Sequence, residues 1–143
     1  MSYCQRQDMI DRFGVERLTQ LTDRVNKPVS TIDETVLATA IDDAAGLIDG
    51  YLKKVAELPL TVVPPVLQKF NADIALYYLY GDNADKDSPV TRTYNDAVSF
   101  LKDVAKGLVE LSDGAEVPAV SGDGAIRTAA PVRVFTRDSL KGF

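Results

Sequence analysis

At 143 residues the chain fits one domain, and its 45% hydrophobic and 26% charged content is that of an ordinary folded protein. Histidine is absent and cysteine occurs once, which excludes intrachain disulfides, zinc sets, and Ser–His or Cys–His nucleophilic pairs. A formal charge of −5 gives no general field for nucleic acid, and no run of about 18 apolar residues is present to cross a membrane.

The opening stretch "MSYCQRQDMIDRFG" lacks a basic start followed by an apolar run, so no secretory signal is expected. The single Cys4 fits a reducing, intracellular origin. "QRQDMIDRF" predicts a short helix ending at Gly14, since glycine reaches positive φ freely. "VERLTQLTD" predicts a second, with Leu18 and Leu21 on one face. "NKP" breaks the pattern.

A third helix is expected after Thr31, whose spacing to Glu34 is that of a capping box. Leu37, Ile41, Ala44, Ile48, Tyr51, Val55 and Leu58 then alternate steps of four and three, the seam of a helix about 27 residues and roughly 40 Å long. Gly46 and Gly50 lie four apart within it, where they either let another backbone approach closely or are simply tolerated. Pro59 ends it, and "LPLTVVPP" reads as an extended link.

The fourth segment, "FNADIALYYLY" from Phe70 to Tyr80, is apolar on nearly every side, so it belongs at the centre of the domain. Asn71 and Asp73 interrupt it and need water, a polar partner or another subunit. After the polar loop "GDNADKDSP", Ser88 caps a fifth helix with Pro89 at its first position. Val90, Tyr94, Ala97, Leu101, Val104, Leu108 and Leu111 form its seam. Ile41, Ile48, Leu101 and Leu108 read as core, Tyr94 as packing, and Arg92 as an anchor at the helix start. Two seams of this kind imply antiparallel packing at a shallow angle, with the fourth helix between or across them. The expected fold class is therefore all-α: about five helices, two short and three longer, with an extended C-terminal arm. Residues 1–111 form the helical domain, 112–132 a flexible linker rich in Gly, Ala, Pro and Ser, and 133–143 the arm.

Chemistry is sparse. Cys4 has only Arg6 as a nearby cation in sequence and reads as an inert thiol. Asp42, Asp43 and Asp49 on the third helix read as a solvated face ahead of a metal or general-acid site. Asn83, Asp85 and Asp87 occupy alternating positions of a calcium loop, but Ser88 stands where glycine belongs and Tyr94 where the bidentate glutamate belongs. "SGDGAI" has neither the lysine nor the hydroxyl of a P-loop. No catalytic residue, metal or cofactor is expected, and the chain does not read as an enzyme.

The ending "RVFTRDSLKGF" is different. Arg133, Arg137 and Lys141 bracket Phe135, Leu140 and Phe143, a set of apolar anchors with cations around them. From Ile126 onward the net charge is +3, leaving −8 on the part up to Ala125. A basic tail on an acidic body is suited to pairing with a neighbouring copy.

The motifs "YCQRQDMIDRFGVERLTQLTDR", "AIDDAAGLIDGYL", "LPLTVVPPVLQKFNADIALYYLY" and "YNDAVSFLKDVAKGLVEL", in that order, resemble the Mu-like phage head–tail connector family, long described as a prophage domain of unknown function. The resemblance runs from Tyr3 to Leu111 and resumes in "FTRDSLKGF". It implies a helical protein of the virion neck, assembled in the host bacterial cytoplasm into a homo-oligomeric ring, commonly of twelve copies. Its partners would be the portal protein, through the C-terminal arm, and a tail-terminator or other neck protein. DNA would pass through the channel without sequence-specific binding. Two other readings compete: a monomeric assembly chaperone or regulator whose tail packs on its own core, and a metal-dependent hydrolase built on the acidic positions.

Overall fold

The computed structural model describes residues 2–111. The linker 112–132 and the arm 133–143 lie outside the described residues. Among the described residues the helices are α1 (Arg6–Phe13), α2 (Val15–Thr22), α3 (Glu34–Leu52), α4 (Pro65–Tyr80) and α5 (Pro89–Ala105), with a 3-10 turn at Gly81–Asn83. No strand occurs among the described residues, so the all-α class with two short and three longer helices holds.

Gly14 separates α1 from α2. Its N–H donates to the Ile10 carbonyl at 2.8 Å while its φ of +83° turns the chain, a conformation that a Cβ would strain. α4 is the central element and packs on both α3 and α5, which also touch each other. Leu67, Ala72, Ile74 and Ala75 of α4 are wholly buried against Leu37, Ala44, Ile48 and Leu52 of α3 and Ala97 and Leu101 of α5. Met9 and Leu18 bring α1 and α2 into the same core. Each large side chain buried in this way stabilises the fold by about 1.5–3 kcal/mol. The Phe70 and Phe100 rings meet at 5.1 Å, tilted by 56°.

Asn71 finds its partners within the chain. Fully buried, it accepts from the backbone N–H groups of Tyr3 (3.0 Å) and Cys4 (3.1 Å) and donates to the Ile41 carbonyl (3.0 Å). One amide thus fastens the N-terminal strand of chain to α3 and α4 and leaves none of those groups unpaired. Asp73 pairs with Lys69 one turn earlier, at 2.7 Å.

Four expectations need correction. The cap of α3 is Asp33, not Thr31: the Asp33 carboxylate accepts from the N–H groups of Thr35 (3.0 Å) and Val36 (3.1 Å). Glu34, the other half of the expected capping box, pairs instead with exposed Arg6 at 2.6 Å. α3 is also shorter than its seam, 19 residues ending at Leu52, whose carbonyl accepts from both Val55 and Ala56 and closes the helix in a turn. Leu58, Leu60 and Val63 reach the core from the loop that follows, so apolar spacing outlasts the backbone ladder.

Leu108 is not core. Lys106 closes α5, Gly107 turns with φ +74°, and its N–H donates to Val104 at 2.9 Å while Leu108 N–H donates to Asp103 at 3.0 Å. That pair of bonds is a Schellman ending, and it rotates Leu108 outward, where it is 72% exposed. Among the described residues nothing approaches Gly46 or Gly50 closely, since a Cβ at either would meet nothing within 4 Å, so within the described chain they are simply tolerated. At the start of α5 the expected cap is present: the Ser88 hydroxyl accepts from Thr91 N–H at 3.2 Å, with Pro89 at the first position.

Candidate docking site

The Schellman turn helps shape a cleft at the end of α5. The loop after α3 contributes Val55, Leu60 and Val62, and the end of α5 with its following turn contributes Val104, Val109 and Leu111. Together they line a cleft of about 480 Å³. Glu110 is the charged residue on its wall. Val55 is 46% and Val62 55% exposed, so two branched apolar side chains face water here without cover from the described chain. Leu111, the last described residue, is part of the lining, and the chain leaves toward residue 112 from the groove itself. The cleft offers shape, apolar area and one negative charge. That is equipment for holding an apolar segment, not for bond chemistry.

The positions considered for chemistry are occupied otherwise. Cys4 is buried, its thiol lies 3.5 Å from the Gln5 carbonyl, and burial, with nearby Asp8, pushes its pKa up to about 12. The thiolate needed for nucleophilic attack is thus suppressed. Asp42 and Asp43 are exposed, while Asp49 accepts a hydrogen bond from the Tyr3 hydroxyl. Burial and that bond to the carboxylate raise the Tyr3 pKa. Asn83, Asp85 and Asp87 are exposed, and the Asp85 carbonyl is taken by Ser88 N–H (3.1 Å) and the Thr91 hydroxyl (2.6 Å) as part of the α5 start.

The tyrosines of α4 are partnered. Tyr77 stacks on Tyr94 with centroids 4.0 Å apart and planes within 12°, and Tyr80 accepts from the Arg17 guanidinium at 2.9 Å. Tyr94 packs, as its place in the seam predicts. Arg92 is exposed. The partner-binding residues expected from sequence, Arg133, Phe135, Arg137, Leu140, Lys141 and Phe143, lie outside the described residues. Sequence reading missed the groove. Its signal was present as apolar density in "LPLTVVPP", a segment that reads as a link only because its prolines forbid a helix.

A family model described as Bacteriophage Mu, Gp36 matches residues 3–129, which takes in every described helix. The chain belongs to that family. Among similar proteins, "Gene product J" of Escherichia phage Mu is 31% identical over 144 residues, covering 100% of this chain and 99% of that protein. The "Mu-like prophage FluMu protein gp36" of Haemophilus influenzae is 29% identical over 141 residues, covering 99% and 97%. The chain is thus a Mu-like phage protein, similar to these relatives from end to end. Among the described residues no helix is long and apolar enough to cross a membrane.

Proposed function

We propose that this member of the Gp36 family is a structural protein of the virion neck, a head–tail connector that forms a ring of about twelve copies between portal and tail. The C-terminal residues 133–143 grip the portal or a neighbouring subunit, and the tail-terminator or another neck protein docks on the opposite side. What supports the reading is one pairing of observations. The family match covers the whole helical body, and that body leaves an apolar cleft open where the C-terminal segment departs.

The absence of histidine and the suppressed Cys4 thiol fit a protein that assembles and performs no catalysis, without cofactor. An acidic body suits a channel wall, since negative charge repels the phosphate backbone and lets DNA slide past. A ring whose lumen is lined chiefly by Lys and Arg would sink that part of the proposal.

The deciding experiment is the mass of the purified chain, alone and mixed with portal protein, for the full-length form and one ending at Pro131. Capture of the full-length chain, and not of a truncated chain that is still helical by circular dichroism, is the expected result. Loss of helix on truncation, with the portal ignored, would instead favour a monomeric chaperone or regulator whose tail completes its own core. The cleft beside the chain's exit is the observation that keeps this second reading in play.

A further inference from the structure

We infer that in the free subunit the cleft between the loop after α3 and the end of α5 is filled by the chain's own C-terminal segment, residues 133–143, so that the arm is withheld until a partner draws it out. The inference rests on the connector reading for that partner; the seating itself does not need it.

The cleft is half finished by the described chain. Val104 in its lining is buried, whereas Val55 and Val62 on its wall are about half exposed. Branched side chains left in that state gain from any apolar group laid over them. Glu110 is the charged residue of the lining.

Chemistry selects the segment. Close behind Leu111, Val117 and Val120 could reach the cleft, but Asp113 and Glu116 travel with them and would meet Glu110 with like charge. Farther on, Phe135, Leu140 and Phe143 come with Arg133, Arg137 and Lys141 against one anion, Asp138. Their rings and branched chain suit the valines, and their cations suit Glu110. The longer loop this choice closes costs little extra, because closure entropy grows only with the logarithm of length. One additional buried aromatic side chain outweighs it.

Distance selects the copy. Leu111 is itself part of the lining, so the tether to Phe135 begins at the cleft and runs for 24 residues. A flexible stretch of that length has an end-to-end distance of roughly 27 Å. The end of such a chain is most concentrated close to where its tether starts, so at fixed length the nearest site is favoured. The parent cleft is that site. A body of this size is about 34 Å wide, and the same distribution puts a cleft one width away about tenfold lower. In the free subunit no copy is held even that close: a short flexible tether supplies an effective concentration of about millimolar, which dilute neighbours do not match.

The test uses the full chain, in which Cys4 is buried and its thiol suppressed. The chain carrying both Val62→Cys and Ser139→Cys is treated, when dilute, with a short bismaleimide. Closure to a linked monomer, at a rate that does not change on further dilution, is the expected result. Links that form only between chains and fade on dilution would overturn the inference in favour of a neighbouring copy, and the absence of any link would overturn it as well. A bare tether also brings two cysteines together, so the anchors decide. Adding Phe135→Asp and Phe143→Asp should slow closure onto Val62→Cys at least about tenfold, in line with loss of apolar anchors. The same change should leave closure of Ser139→Cys onto Val25→Cys, exposed in the loop that precedes α3, as it was. Closure onto Val62→Cys that is no slower without the anchors would show a tether and no seat. Linked and unlinked chains are then each mixed with portal protein. Capture of the unlinked chain alone is expected, and equal capture of both would overturn the withholding of the arm. Capture of a chain that never closes on itself leaves the connector standing and removes this inference, whereas anchor-dependent closure without any capture leaves the seating and removes the connector.

Discussion

Asp23 and Val62 sit in the loops before and after α3, and their surroundings differ in kind. The Asp23 carboxylate accepts from the N–H groups of Val25, Asn26, Ser30 and Thr31 and from the Asn26 amide, at 2.9 to 3.2 Å. Thr22 accepts from Asp33 N–H at 3.0 Å, and Asp33 in turn caps α3. One loop is therefore closed by its own polar groups. The other is built from Val55, Leu58, Leu60, Val62 and Val63 between lysines and prolines, and it leaves a cleft. The first loop exposes valines too, Val25 and Val29, on a backbone tied by Asp23, whereas the second sets its exposed Val55 and Val62 on the wall of a cleft.

The comparison breaks most visibly at the shared core. Leu52, the last residue of α3, is fully buried, and Leu52→Ala should cost about 2–5 kcal/mol, read as a lower urea midpoint at unchanged slope. A loss under about 1 kcal/mol would mean that the apolar loop is not anchored by the end of α3.

The polar loop gives a pH signature. Backbone hydrogen bonds from Ser30 and Asn26, above all, hold the Asp23 carboxyl well below the usual carboxylate range. A depressed folded-state pKa contributes stability that is complete above the unfolded value of about 3.9 and is lost as pH falls toward the folded one. Asp23→Asn should therefore lower the melting temperature at pH 7, and the gap to wild type should narrow as pH falls below about 4. A gap that stays constant down to pH 2 would show that the charge is not what ties the loop.

Smaller effects sharpen the contrast on the faces between. Gly46 is exposed with open space around it, so Gly46→Ala should raise stability by about 0.5–1 kcal/mol. Should the same change weaken any self-association seen in a sedimentation experiment, the face is covered by a neighbouring copy. Leu108→Asp should move stability by no more than about 0.5 kcal/mol, because the side chain already faces water. A large loss would place Leu108 back in the core where its spacing puts it.

Helix order, the central role of α4, the Gly14 break and the Ser88–Pro89 start were legible because each rests on local chemistry: a period, a positive φ, a hydroxyl, a missing N–H. The ends of α3 and α5 were not. Spacing of four and three continues through Val55 and Leu58 and through Leu108, yet the first two lie in a turn and loop and the third points outward beyond Gly107. Periodicity records which residues are apolar; the backbone ladder stops where carbonyls are taken by a turn. Asp33 was passed over as cap because Thr31 and Glu34 satisfy the same rule two residues out of place. The groove was hidden for a different reason. It joins residues 55–64 to 104–111, and no local pattern reports a meeting across that distance.

Asn71 adds an ordering in time. Its carboxamide is what satisfies the amides of Tyr3 and Cys4, 68 and 67 residues earlier in the chain. At synthesis rates of about 5–20 residues per second, the first residues to emerge wait roughly 3–14 s for the side chain that holds them. The start of the protein thus finds these partners only once α4 has been made. A chain interrupted before α4 keeps its first amides without that partner, so the beginning of the molecule reports whether its middle has been made.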